Sequence, residues 1–235
     1  MSNSIHDQLL DLLRGSEVLT SLPENELRDL ATRVHRNRYE ANQLIFRKKD
    51  ASTGMMAVVS GRVKITSVGI SGSEVILNII DPGQVFGEMA LIDEAPRSAD
   101  AVAATQTEVL SIMRRDFLPI LKRNPEACLT MMTLLVRRVR KATSFVEDAV
   151  FLDVPTRLLH RLESLAEQYG KADPRTGAVR IEHGLTQEGL GHSCGLTRVS
   201  VNRQLSAWRD AGMIEDGRGW TTILDPARLE EWVRG

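Results

Sequence analysis

The sequence predicts an α+β chain in three stretches: a β sandwich or barrel, a long amphipathic helix, and two short helices followed by a β-hairpin. Three observations carry that prediction. Between residues 38 and 112, short β-leaning runs alternate with Gly, Asp and Ser. From Cys128 to Ala149, apolar residues recur in an unbroken heptad. Around Gly195, two short helical segments each follow a threonine cap.

At 235 residues the chain holds about one to two domains. Hydrophobic residues make up 42%, enough for a real core. The net charge of −1 argues against a general basic coat, so contact with nucleic acid must come from local patches. No apolar run reaches the ~18 residues of a membrane span. The N-terminus, MSNSIHDQLLDLLRG, is not a secretory signal. Cys128 and Cys194 lie far apart, without a CxxC. That fits a reducing, cytoplasmic setting rather than a disulfide scaffold or a zinc site.

Taken in order, residues 5–14 and 24–34 read as short helices that cap the sheet region. Ile5, Leu9, Leu12 and Leu13 share one face; Leu27, Leu30, Ala31 and Val34 share another. His35 reads as a surface residue rather than a haem ligand. Seven strand runs follow: QLIF, MMAVVSG, RVKITSV, EVILNII, DPGQVFG, SADAVA and EVLSIM. Gly61, Gly69, Gly72 and Gly83 mark turns. Many short strands suit a sandwich or barrel. A metal enzyme on such a scaffold needs clustered histidines. His6, His35, His160, His183 and His192 all fall outside the strands, so no metal is expected. No Ser/His/Asp arrangement suggests catalysis, so the chain does not read as an enzyme.

Within this region, FGEMALIDEAPRSADA, Phe86 to Ala101, concentrates unusual chemistry. Gly87 lets backbone approach a ligand. Amides from Gly87 through Met89 and Ala90 to Leu91 can cradle an anion. Arg97 supplies a planar, permanent cation for phosphate oxygens, and Ser98 a hydroxyl. Glu88 supplies an acceptor for sugar hydroxyls. One cation, one hydroxyl, free amides and a carboxylate suit a small phosphate ester of a sugar.

Residues 116–150 form the next unit. Cys128, Leu135, Ala142 and Ala149 make one heptad series, and Met132, Val139 and Val146 the other. Such a stripe pairs with a second copy, giving a two-fold homodimer. Asp153 is an N-cap and Pro155 suits a first turn, so a hinge lies at 151–155. Residues 156–169 read as an amphipathic helix, and GKADPRTG as a charged loop. Thr186 caps QEGLGHSC, Gly195 turns, and Thr197 caps RVSVNRQLSAWRDA, which Gly212 ends. Val201, Leu205 and Trp208 should pack inward. Arg198, Val199, Asn202 and Arg203 should face outward, where a recognition helix meets the major groove of double-stranded DNA. Arg198 and Arg203 suit guanine; Thr197 and Ser200 suit phosphates. Thr186 caps the first of the two helices. MIEDGRGWTTIL reads as a hairpin turning at Asp216–Gly219, with Arg218 set to touch phosphate.

The stretch with G-E-x-A-L followed by R-S-A resembles the phosphate-binding cassette of cyclic-nucleotide-binding domains. The downstream half resembles the winged helix-turn-helix of the CRP/FNR family of bacterial regulators. FLDV at the hinge is similar to the family's cyclic-AMP receptor branch. This resemblance implies a jelly-roll-like β-roll over 1–115 as sensor, a dimerisation helix over 116–150, and a winged helix-turn-helix over 151–235. It implies a regulator binding 3′,5′-cyclic AMP or cyclic GMP through Glu88, Arg97 and Ser98. It places Arg138 near Glu88, although a solvent-facing Arg138 reads equally well, and Thr143 near the base. Ala142 stands where the family's cyclic-AMP branch has a hydroxyl residue, and Thr143-Ser144 shifted by one is an alternative. The resemblance also implies RNA polymerase as a partner, through a loop near GKADPRTG. Val199 replaces a family Glu, so a TGT-like half-site core should relax at the next position. Two other readings stand beside this: a vestigial cassette without effector, and a nucleotide-binding module for a partner protein.

Overall fold

The structure is a computed structural model that describes residues 2–70 and 72–234. The side chain of Ile5, assigned above to a helix face, lies outside the described residues, as does that of His6.

Two helices lead, α1 (Ser2–Arg14) and α2 (Glu24–Ala31). On α2, Leu27, Leu30 and Ala31 are buried, as the spacing predicts, and Val34 just beyond is buried too. On α1 the buried pair is Leu10 and Leu13, with Leu9 and Leu12 half-buried at its edge. The apolar stripe therefore runs about one residue later than periodicity predicts.

Eight strands follow: β1 (His35–Tyr39), β2 (Leu44–Phe46), β3 (Gly54–Ser60), β4 (Val63–Val68), β5 (Glu74–Ile80), β6 (Val85–Phe86), β7 (Asp100–Ala103) and β8 (Thr107–Met113). They form two four-stranded sheets, ordered β1-β8-β3-β6 and β2-β7-β4-β5. One short helix, α3 (Glu88–Asp93), is inserted between β6 and β7. The first sheet is covered on both faces. Met55 and Ala57 of β3 join Leu110 and Ile112 of β8 against the helices. Val58 and Val109 turn the other way, onto Val63, Ile80 and Ala101 of the second sheet. Successive strand residues point to opposite faces. A strand buried on both sides must then be apolar throughout, which explains the unbroken run MMAVV.

Sequence reading missed β1, because HRNRY has no apolar alternation. It is an edge strand paired with β8 in register His35↔Ser111 to Tyr39↔Thr107. Charge on an edge strand discourages further strand pairing. Arg36 and Arg38 spend theirs on Glu108, a buried carboxylate of β8; Arg38 Nε lies 3.0 Å from Glu108 Oε2. His35, read as a surface residue, is exposed, but it opens this strand and so does not fall outside the strands as expected.

The run expected as one unit over 116–150 contains two helices, α4 (Arg114–Arg123) and α5 (Pro125–Phe151). Asn124 between them is extended, at φ −123° and ψ 92°. A residue before proline is pushed out of the helical region, while proline itself suits a first helical turn. Ala127, Met131 and Leu134 bury one face of α5 against the first core. The predicted heptad is a separate stripe: Cys128 and Leu135 are half-buried, and Met132, Val139, Ala142, Val146 and Ala149 are exposed.

The chain divides into two compact units. One holds the chain as far as Val68 and from Leu77 to Arg140; the other holds Gly69–Ile76 and everything from Lys141 onward. In the second, Asp153 caps α6 (Val154–Tyr169), accepting from Thr156 N at 3.0 Å. The expected loop 170–177 contributes a strand, β9 (Gly170–Ala172), paired with β10 (Val179–Ile181). Three residues, GKA, leave too little pattern to read as a strand. Helices α7 (Gln187–Ser193) and α8 (Arg198–Asp210) follow, then β11 (Ile214–Gly217), β12 (Trp220–Ile223) and α9 (Pro226–Arg234). The sheet order is β11-β12-β10-β9.

The Arg36 hydrogen bond holds the Glu108 carboxyl below its ordinary value of 4.5. Its stabilisation is present above that value and lost as pH falls through the lower native one. In urea unfolding at a series of pH values, Glu108→Gln should be less stable than wild type at neutral pH and lose less on acidification. Parallel curves would remove this pair from the acid response.

Candidate functional site

The cassette begins where β6 ends. Gly87 takes the left-handed conformation, φ +75°, and aims the chain into α3. A Cβ here would lie 2.2 Å from Arg97 Nη1, so any side chain would displace the guanidinium. Arg97 Nη1 donates to the Gly87 carbonyl at 2.8 Å. Its guanidinium stacks on Phe46 at 4.1 Å, and Phe46 stacks on Phe86 at 5.8 Å. The arginine backbone is pinned as well: Arg97 N donates to Asp50 O at 2.9 Å, and Lys49 N to Arg97 O at 2.8 Å. Arg97 is only 8% exposed. Burial lowers its pKa, opposed by the charges of Glu88 and Asp50. Among the described residues, no carboxylate lies within ion-pair distance of it.

Glu88, the first residue of α3, is fully buried at 0% exposure. It is ion-paired with Arg138 of α5, which also donates to the Val85 carbonyl. Of the two sequence alternatives for Arg138, the structure takes the one beside Glu88. Yet neither Glu88 oxygen receives an aligned hydrogen bond. Its charge is met while its hydrogen-bonding capacity is left over. Ala90 is buried beneath the turn, Met89 is exposed, and Ser98 Oγ lies 3.8 Å from Met89 Sδ. Arg114 closes the far end of α3, donating to Leu91 O at 2.7 Å and pairing with Glu94 at 2.7 Å.

Gly87, Glu88, Arg97 and Arg138 are thus brought together. Phe46 and Arg114 were missed by sequence reading; no local signal tells a phenylalanine beneath an arginine from one in a core. Thr143 is an exposed residue of α5 and belongs to the second unit.

In that unit, Thr186 Oγ1 accepts from Gly189 N at 3.0 Å and Thr197 Oγ1 from Ser200 N at 3.2 Å, so both predicted caps are made. Ser200 Oγ lies 3.0 Å from Thr197 Oγ1. Gly195 turns at φ +64°, and Arg157 Nη2 clamps the turn through the carbonyls of Cys194 (2.7 Å) and Gly195 (3.0 Å). Burial pushes the Cys194 thiol up to about 11, so it stays protonated and inert at neutral pH. Val201, Leu205 and Trp208 are buried, while Arg198, Val199, Asn202 and Arg203 of α8 are exposed. The hairpin register Gly217↔Trp220 leaves Arg218 exposed at a two-residue tip with Gly219. His183 is structural: Nδ1 accepts from Leu185 N at 3.0 Å. Among the described residues, no group of three His, Cys, Asp or Glu could hold a metal ion. No helix there is long and apolar enough to cross a membrane.

The model of the cyclic nucleotide-binding domain matches residues 36–124, and that of the Crp-like helix-turn-helix domain residues 156–232. The chain is 32% identical over 225 residues to the Cyclic AMP receptor protein of Thermus thermophilus, spanning 95% of this chain and 99% of the relative. It is 30% identical over 190 residues to a CRP-like cAMP-activated global transcriptional regulator of Mycobacterium tuberculosis, spanning 81% and 84%. The fold matches a CooA mutant from Carboxydothermus hydrogenoformans at TM-score 0.75 and 23% identity, covering 86% and 88% of the two chains.

A Cβ at Gly195 would lie 2.7 Å from Arg157 Nη2, on a backbone that disfavours side chains. Gly195→Ala should therefore cost at least about 1–2 kcal/mol in urea unfolding. An unchanged midpoint would show that the turn relaxes freely.

Proposed function

Because the chain belongs to the CRP/FNR family and joins a cyclic-nucleotide-binding domain to a helix-turn-helix, we propose that this nucleotide-responsive transcription regulator takes 3′,5′-cyclic AMP as effector, with cyclic GMP second. The observation that carries this is Glu88: a buried carboxylate whose Oε1 is ion-paired with Arg138 and whose Oε2 has no donor. The one free ribose hydroxyl of a 3′,5′-cyclic nucleotide, the 2′-OH, would supply what it lacks. Arg97, held on Phe46 and without a carboxylate partner, pairs with the cyclic phosphate, helped by Ser98 and the amides of Met89 and Ala90. Thr143 meets the base, and Ala142 offers it no hydrogen bond, which keeps cyclic GMP in contention.

The exposed apolar stripe of α5 pairs with a second copy, making a homodimer. Such a dimer presents two α8 helices to half-sites one helical turn apart, ~34 Å. Arg198, Val199, Asn202 and Arg203 read bases, while Thr186, Thr197, Ser200 and Arg218 hold phosphates. Their exposure favours DNA over a protein as the output partner. RNA polymerase is the further partner in this reading, and the cytoplasm its setting.

Calorimetric titration of the dimer with each nucleotide should show binding that Arg97→Ala weakens by at least about tenfold, the size of a lost charge-assisted hydrogen bond. No heat with either nucleotide would point to an effector-free regulator. Saturating operator DNA should tighten nucleotide binding by the factor with which nucleotide tightens DNA binding; an unchanged affinity would sink the coupling. Val199 is 77% exposed and carries no acceptor. Selection from random DNA should therefore return TGT-like half-sites without the cytosine-pairing preference a glutamate there would impose.

A further inference from the structure

A chain of polar side chains runs from the hairpin to the recognition face of α8. Asp216 of β11 has a side chain only 5% exposed. One of its oxygens is ion-paired with Arg209 in the last turn of α8, and Arg209 Nη2 also donates to Ser206 Oγ at 3.0 Å. Its other oxygen, Oδ2, lies 3.5 Å from Gln187 Nε2, at the start of α7. Gln187 Oε1 in turn accepts from Asn202 Nδ2 at 2.9 Å.

This order carries information, because an amide has two unlike ends while a carboxylate has one kind. Asp216, facing an arginine, can only accept. Gln187 must therefore turn its NH2 towards Asp216, which leaves its carbonyl for Asn202. Asn202 must answer with its own NH2, so Oδ1 occupies the opposite edge of its amide. The carboxylate in the hairpin thus sets the polarity of a side chain exposed on α8. One Nδ2 hydrogen and the Oδ1 acceptor remain free for DNA. That pair matches adenine, with Oδ1 accepting from N6 and Nδ2 donating to N7.

We propose that Gln187 is a positioning residue, which with Asp216 fixes Asn202 to read adenine at one position of each half-site. Asn202 meets the base and Gln187 acts through it. The proposal rests on α8 being the recognition helix. Holding the amide in advance spares the entropy of ordering it on binding and disfavours a flipped amide that would accept other bases.

The test uses the full-length chain and selection from random DNA, with and without cyclic AMP. Wild type should select adenine at one position. Asn202→Ala and Gln187→Ala should each lose that preference about tenfold, and the double variant should lose no more than either. Gln187→Met keeps the stem but not the acceptor, and should behave as Gln187→Ala. Replacing the selected adenine by purine, which lacks the N6 amine, should weaken wild type about tenfold and Gln187→Ala little. Equal weakening of every sequence by Gln187→Ala would overturn the proposal. So would a base preference that Asn202→Ala leaves intact. A wild type without any sequence preference, in either condition, would overturn the underlying reading of α8 instead.

Discussion

The ion pair between Glu88 and Arg138 is the constraint on which the sensor depends. A buried carboxylate is costly unless its charge is answered, and removing one partner leaves the other stranded. Glu88 follows β6 directly and Arg138 lies on α5, some 50 residues later in the chain. Their contact ties the cassette to the helix that also carries the exposed apolar stripe. Any ligand that donates to Glu88 enters a site whose electrostatics include that helix. Coupling between sites needs such an element, one whose state both ligands can bias.

Arg97 is held by different physics. Its guanidinium rests on Phe46, which rests on Phe86, and one of its amines is taken by the Gly87 carbonyl. Stacking and a neutral acceptor hold the cation without neutralising it. An aspartate in place of those partners would orient it equally well and compete with a phosphate for it. The same economy recurs at the turn between α7 and α8, where Arg157 is bound to carbonyls rather than to an acid.

Much of this was legible in the sequence because much of it is local. The caps at Asp153, Thr186 and Thr197 join residues three apart, and all were read correctly. The buried stripe Val201, Leu205 and Trp208 follows from helical spacing. The cassette was legible through the order of its residues and their resemblance to a family. The seven apolar strand runs were visible too, whereas β1, β9 and β10 were not: HRNRY lacks alternation, and GKA and VRI are too short to show it.

By itself, then, the sequence determined most of the elements, their caps, the heptad stripe and the residue types gathered in the cassette. Tertiary structure alone decided the partners. It paired Glu88 with Arg138, slid Phe46 beneath Arg97, set Glu108 against the β1 arginines, and linked Asp216 to Asn202 through Gln187. Each of these joins residues on different elements, so no periodicity of 2 or 3.6 encodes it. Propensity and capping act over one turn of chain, while charge and hydrogen-bond partners are chosen only once packing has brought distant elements together.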